Sequence, residues 1–252
     1  MKKKATLLST LAGVGMLFFV WQLLAFLVNR PILPSPVEVV PLFLVNITDD
    51  LGLHFLASAA RVLSAIALAT LLAAPLGLAL GQMPRLDRLV GPLIAIVYPI
   101  PKIIFLPVIY VLMGISDLSK VTLIAIIIFF QILVVVRDEA AGLKQELILS
   151  VRSLGAGRRA LFRYVYIPAS IPAILTALRV SVGTAIAVLF IAEQSLTNYG
   201  LGYYIVIETY QVLLYPEMYT GIMGMGVLGV LLYFAIYSIE LKVSKHMFVD
   251  EH

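Results

Sequence analysis

The sequence predicts an all-α integral membrane protein of about six transmembrane helices. Three observations predict it. Of the 252 residues, 62% are hydrophobic and only 13% charged; the apolar residues gather in runs close to the length of a bilayer-crossing helix; and the basic residues collect in alternate connecting segments. Soluble domains are near half apolar and a quarter charged, so water is not the main solvent of this chain. Cysteine is absent, which excludes a disulfide framework, a thiolate metal site and a cysteine nucleophile. A net charge of +4 would raise nucleic-acid binding in a soluble protein; here the bases sit between spans, and the lipid bilayer, not nucleic acid, is the expected partner.

The first run, about residues 7–28, follows Lys2, Lys3 and Lys4. It exceeds the roughly 7–15 apolar residues of a secretory signal and no small-x-small cleavage site precedes Asn29, so it reads as an uncleaved span, with a signal-anchor as the alternative. Five more runs follow, at about 55–82, 89–113, 119–136, 168–194 and 218–240. The third contains Pro92, Pro99, Pro101 and Pro107, with Lys102 near its middle. Each interior proline removes a backbone hydrogen bond whose freed carbonyl needs a protein or water partner in lipid, so this run is expected to be irregular and to face protein or a cavity. In domain terms, 1–52 is an N-terminal helix with an extracytoplasmic linker, 53–240 a transmembrane domain interrupted by a cytoplasmic loop at 137–167, and 241–252 a cytoplasmic tail.

Orientation follows from the bases. With the N-terminus inside, the inner segments hold Lys2 to Lys4, Arg85, Arg88, Arg137, Lys144, Arg152, Arg158, Arg159, Arg163, Lys242 and Lys245, whereas the outer loops keep only Arg30 and Lys120. The positive-inside rule then places both termini in the cytoplasm.

The 137–167 loop is neither random nor low in complexity. Leu143, Leu147, Ile148, Val151, Leu154, Leu161 and Phe162 alternate with bases, as in short helices at a membrane surface, and Gly155-Ala156-Gly157 breaks the pattern before Arg158, Arg159 and Arg163. Gly155, followed at the right distance by Val165-Tyr166-Ile167-Pro168, resembles the cytoplasmic signature loop of binding-protein-dependent ABC transporter permeases, written E-A-A, three residues, G, nine residues, I-x-L-P. The literal Glu139-Ala140-Ala141 is out of register; counting back from Gly155 puts those positions at Leu149-Ser150-Val151. Leu33-Pro34-Ser35-Pro36, Pro99-Ile100-Pro101-Lys102, Gly114 to Lys120, Arg152 to Ala156, and Ala192-Glu193 ahead of Gly200-Leu201-Gly202 are similar to the nitrate/sulfonate/taurine branch of these permeases.

That resemblance implies a type I ABC importer permease fold in the bacterial inner membrane. It implies two permease copies, here a homodimer, an extracytoplasmic solute-binding protein, and cytoplasmic ABC ATPase subunits that carry ATP and Mg. By matching positions, the coupling helix that docks into the ATPase comprises Ser150, Val151, Arg152, Ser153, Leu154, Gly155, Ala156, Gly157, Arg158 and Arg159, and the loop ends at Ile167 and Pro168. The chain itself has no G-x-x-x-x-G-K-[ST] phosphate loop, so no cofactor is expected on it.

Arg61, Lys102, Arg179 and Glu193 fall in or near apolar runs, where a central Arg, Lys or Asp costs roughly 2.5–3.5 kcal/mol. Two readings stand. They line a path for an anionic or polar solute; or Arg61 and Lys102 snorkel from span ends while Arg179 and Glu193 pair with other spans. His54, His246 and His252 are scattered, without a carboxylate at metal-ligand spacing, so no metal site is expected. No catalytic constellation is visible, and the chain is expected not to be an enzyme. Gly221, Gly224, Gly226 and Gly229 suit close helix packing. The rival function is a stand-alone secondary transporter or channel, against which stands the lack of a detectable internal repeat. The solute is expected to be small and anionic, with a heterocyclic vitamin or precursor as the alternative.

Overall fold

The computed structural model describes residues 2–143, 145–155, 157–194 and 197–243. Lys144, Ala156 of the expected coupling helix, and residues 244–252 of the expected tail, with Lys245, His246 and His252, lie outside the described residues. Among the described residues there are helices and no strand.

Among the described residues four helices are long and apolar enough to cross a bilayer: α3 (Asp50–Gln82), α6 (Asp117–Ala141), α9 (Ile167–Glu193) and α11 (Tyr215–Val243). The expected irregular run forms a bent helix pair that makes a fifth crossing if it is taken as one span. Here α4 (Pro84–Val97) and a 3₁₀ turn at Lys102–Phe105 leading into α5 (Leu106–Met113) are bent by 82°. The first predicted run lies within α1 (Lys2–Val28).

Several helices overrun their predicted limits because charged residues at their ends masked them. Thus α6 continues through Arg137, Asp138 and Glu139, and α3 begins at Asp50. At 33 residues and 1.5 Å per residue, α3 is about 50 Å long, well beyond a hydrocarbon core of roughly 30 Å. The predicted links also contain structure. Residues 29–54 hold α2 (Pro36–Asn46), opened by a proline in its first turn. Residues 195–217 hold α10 (Leu201–Tyr203), which runs into a π-helical segment, Tyr204–Tyr210. The 137–167 loop begins after Ala141 and contains α7 (Gln145–Ser153) and α8 (Arg158–Leu161), the latter continuing through a π turn into α9.

The chain forms two compact units. One comprises residues 1–58 and 193–227. In it the Trp21 indole donates to the Pro34 carbonyl at 3.0 Å and stacks on Tyr219. The glycines of α11 admit the 201–210 segment: a Cβ at Gly221 would lie 2.6 Å from Ile205, and one at Gly224 3.2 Å from Leu201. These two have the packing role expected of them.

The other unit comprises residues 59–192 and 228–252. Its centre is α6, whose Leu123, Ile124, Ile128, Ile132, Leu133 and Val136 are buried. Ser116 caps α6 through a reciprocal box with Ser119. Gly77 and Gly81 let α3 approach the α6 backbone, an i, i+4 small-residue contact absent from the sequence reading. A Cβ at Gly77 would stand 2.9 Å from the Leu133 carbonyl, and one at Gly81 would overlap the Arg137 carbonyl. Arg137 also clamps Asp87 of α4 through Nε at 2.6 Å and Nη2 at 2.8 Å. Outward faces stay apolar, as Leu71, Leu89, Val111 and Leu112 illustrate.

Gly81→Ala is expected to destabilise the solubilised protein by about 1–3 kcal/mol through overpacking, measured as a lowered thermal midpoint.

Candidate functional site

Pro99 and Pro101 cannot continue a helix, so α4 stops and its terminal carbonyls lose their intrahelical donors. Lys102 replaces those donors. Its ammonium donates to the carbonyls of Tyr98 at 2.7 Å, Val97 at 3.1 Å and Ile100 at 3.1 Å, which uses all three N–H bonds. It also lies 4.7 Å from the centre of the Phe130 ring and 5.6 Å from that of Tyr98, within cation–π range. A cation at a helix C-terminus further offsets the macrodipole.

Beside this break is an open cavity of about 430 Å³. Its wall includes Tyr98, Lys102, Phe130, Gln131 and Thr184, with Val188 and Ile191 among the apolar remainder. The Gln131 amide donates to the Thr184 hydroxyl at 3.2 Å, a polar pair able to exchange its mutual bond for one to a small solute. The expected pathway residue Lys102 is therefore at a cavity, but its donors are held by backbone.

The other three expected pathway residues do not join it. Arg61 chelates Asp117 at the start of α6, with Nη2 at 2.6 Å and Nε at 2.8 Å from one carboxylate oxygen. Arg179 pairs with Glu240 of α11 at 2.8 Å, donates to the Tyr233 hydroxyl at 3.0 Å, and lies over the Tyr233 and Tyr237 rings. Thr176 donates to the same carboxylate at 2.7 Å. Arg179 ties one span to another, as its structural reading expects.

Glu193 is fully buried and belongs to a second backbone break. Past the end of α9 the chain re-enters at Gly200, whose φ of +132° suits a residue without Cβ. The next helical segment then opens with unpaired N–H groups. Each finds a side chain: Gly200 N–H reaches His54 Nδ1 at 3.0 Å, Leu201 N–H reaches Ser58 Oγ at 2.8 Å, and Gly202 N–H reaches Glu193 Oε2 at 3.0 Å. The Ser58 hydroxyl in turn donates to the Glu193 carboxylate at 2.7 Å. His54 and Ser58, four apart on α3, share one face. Only the histidine and the carboxylate drew notice in the sequence; the serine, a short polar residue in an apolar run, carried too weak a signal.

In the loop, α7 ends at Ser153 because Gly155 adopts φ +82°, the left-handed position that terminates helices. The expected 150–159 helix is therefore two pieces joined by a glycine turn, and the Glu139-Ala140-Ala141 string is the last turn of α6. Ser150 and Ser153 bond carbonyls of their own helix at 2.8 Å. Arg152, Arg159 and Gly157 are exposed and Val151 half-buried. Leu149 is 58% and Leu154 86% exposed. Ile167 and Pro168 begin α9.

Residues 65–247 match the family described as binding-protein-dependent transport system inner membrane component. This chain belongs to that family. It is therefore an ABC transporter permease, a non-catalytic, multi-pass membrane component. The taurine transport system permease protein of Escherichia coli is 30% identical over 77% of this chain and 74% of its own. The formylaminopyrimidine transport permease protein of Halalkalibacterium halodurans is 30% identical over 75% and 76% respectively. Among solved structures, an inward-facing MetNI methionine ABC transporter chain aligns with a TM-score of 0.64 at 20% identity, covering 77% of this chain and 96% of that one. The fold is the type I importer permease fold expected from the signature loop.

Lys102→Met is expected to lower the thermal midpoint of the permease in detergent, because hydrogen bonds from a charged donor to these carbonyls, worth about 1.5–3 kcal/mol, are lost. Unchanged stability with transport selectively lost would assign the ammonium to the solute instead.

Proposed function

We propose that this permease forms the translocation path of an ATP-driven importer for a small solute bearing a negative group. An extracytoplasmic binding protein delivers the solute, and a second copy of the chain completes the path. Separate cytoplasmic ATPase subunits bind ATP and Mg. The base distribution supports a bacterial inner-membrane protein with both termini in the cytoplasm.

The observation that carries the coupling half of this reading is Leu154. It is a large apolar side chain, 86% exposed, in the turn that ends α7 immediately before Gly155. Exposed bases flank it at Arg152 and Arg159. An apolar anchor rimmed by charge is the anatomy of a docking point, and its position within the signature loop matches the family's ATPase contact. A hinge at Gly155 lets α7 move with an ATPase as a unit.

The solute half rests on the cavity beside α4 and α5. Its wall offers the Lys102 charge together with the Gln131–Thr184 pair, and the relative from Escherichia coli is named for taurine, which carries a sulfonate. The aromatic walls Tyr98 and Phe130 favour a second reading, a planar heterocycle, in line with the formylaminopyrimidine relative.

The test is reconstitution of the chain with its ATPase and binding protein. Leu154→Asp is expected to reduce ATPase co-purification and solute-stimulated ATP hydrolysis by at least about tenfold, the loss typical of a central anchor, while the permease stays in the membrane. Undiminished co-purification, or uptake by the chain alone without ATP, contradicts the proposal.

A further inference from the structure

We propose that Asp50, His54 and Glu208 form a site for a divalent transition metal of the zinc class, independent of which solute is carried. The sequence reading missed it: Asp50 precedes His54 by one helical turn, and Glu208, 154 residues further on, is brought in only by the fold.

The three side chains lie in one compact unit. Asp50 and His54 share a face of α3 as an i, i+4 pair, and the π-helical segment after α10 supplies Glu208. His54 Nε2 stands 3.5 Å from Asp50 Oδ2 and 3.2 Å from Glu208 Oε2, and all three ligand atoms lie within 4.8 Å of one another. Two ligands of a tetrahedral ion with bonds of about 2.0 Å are separated by about 3.3 Å, so the histidine-to-carboxylate separations fit one ion. Among the described residues this is the one place where three such groups converge.

The surroundings suit a ligand histidine. The His54 ring is 1% exposed, and its Nδ1 faces the Gly200 carbonyl at 3.1 Å as well as the Gly200 N–H. Without metal, Nδ1 accepts from the Gly200 N–H and the Nε2 proton faces the carboxylates; metal binding would shift that proton to Nδ1, which then donates to the Gly200 carbonyl, the usual support of a metal-bound imidazole. Tyr199, Tyr203 and Tyr204 ring the imidazole at 5.3–6.2 Å between centres. Asp50 is 62% exposed, which gives the ion access from solvent and leaves room for water as a fourth ligand.

Bound metal would fasten the start of α3 to the segment after α10, across the same seam that His54 and Ser58 close by hydrogen bonding. Without metal, the same positions serve as a plain imidazole–carboxylate contact.

The experiment uses the full chain purified without a polyhistidine tag and titrated with Co²⁺, followed by Zn²⁺ competition. Expected are the visible absorption bands of tetrahedral cobalt, saturation at one ion per chain, and their displacement by zinc. Asp50→Asn and Glu208→Gln are each expected to weaken binding at least tenfold while remaining folded by circular dichroism, and His54→Gln to abolish the bands. The natural histidines near the C-terminus remain in every variant and act as an internal control. Absent bands, or cobalt binding as tight in Asp50→Asn and Glu208→Gln as in the parent chain, overturn the proposal.

Discussion

A buried backbone group without a partner is the cost this structure is organised to avoid. A continuous helix satisfies its own N–H and C=O groups, and in lipid nothing else is on hand to do so. Two of the helix breaks among the described residues, one in each compact unit, expose opposite ends. Where α4 stops, carbonyls are orphaned, and a lysine supplies three donors. Where the chain resumes at Gly200, N–H groups are orphaned, and a histidine, a serine and a glutamate supply acceptors. Four buried polar residues of an otherwise apolar protein, His54, Ser58, Lys102 and Glu193, are thus accounted for by backbone geometry.

That constraint shapes the functional reading. An intramembrane charge is by default a candidate for solute or ion handling, yet Arg61 and Arg179 are held by carboxylates and Lys102 by carbonyls. What remains available at the cavity is the field of the Lys102 charge and the Gln131–Thr184 pair, a modest polar surface on an apolar wall. Such a wall would hold a small solute only weakly, in keeping with the translocation role proposed above. The loop at the other functional end has the reverse character: Leu154 is apolar where water would otherwise cover it, which is intelligible for a surface that meets another protein.

The sequence made much of this legible. Apolar runs located the crossings, and four prolines marked the broken one, because helix length and proline chemistry are local properties. The family followed from the spacing of Gly155 to Pro168. What stayed hidden depended on distant residues. Ser58 is unremarkable until Leu201 and Glu193 arrive beside it, and Glu208 has no meaning without His54. Gly77 and Gly81 declared no partner, since their role is set by the α6 backbone 50 to 60 residues away. Helices ran past the apolar runs where charges such as Arg137 and Asp87 neutralise one another across helices, a pairing that hydropathy cannot register.

The capture of orphaned backbone donors is measured most directly by amide hydrogen exchange at Leu201 and Gly202, comparing the natural chain with Ser58→Ala. The account predicts both amides strongly protected in the natural chain, with Leu201 exchanging about 10–100-fold faster in the variant, as loss of a bond worth about 1–3 kcal/mol requires. Exchange of Leu201 at the rate of an open loop in the natural chain, or protection unaffected by loss of the hydroxyl, would contradict it.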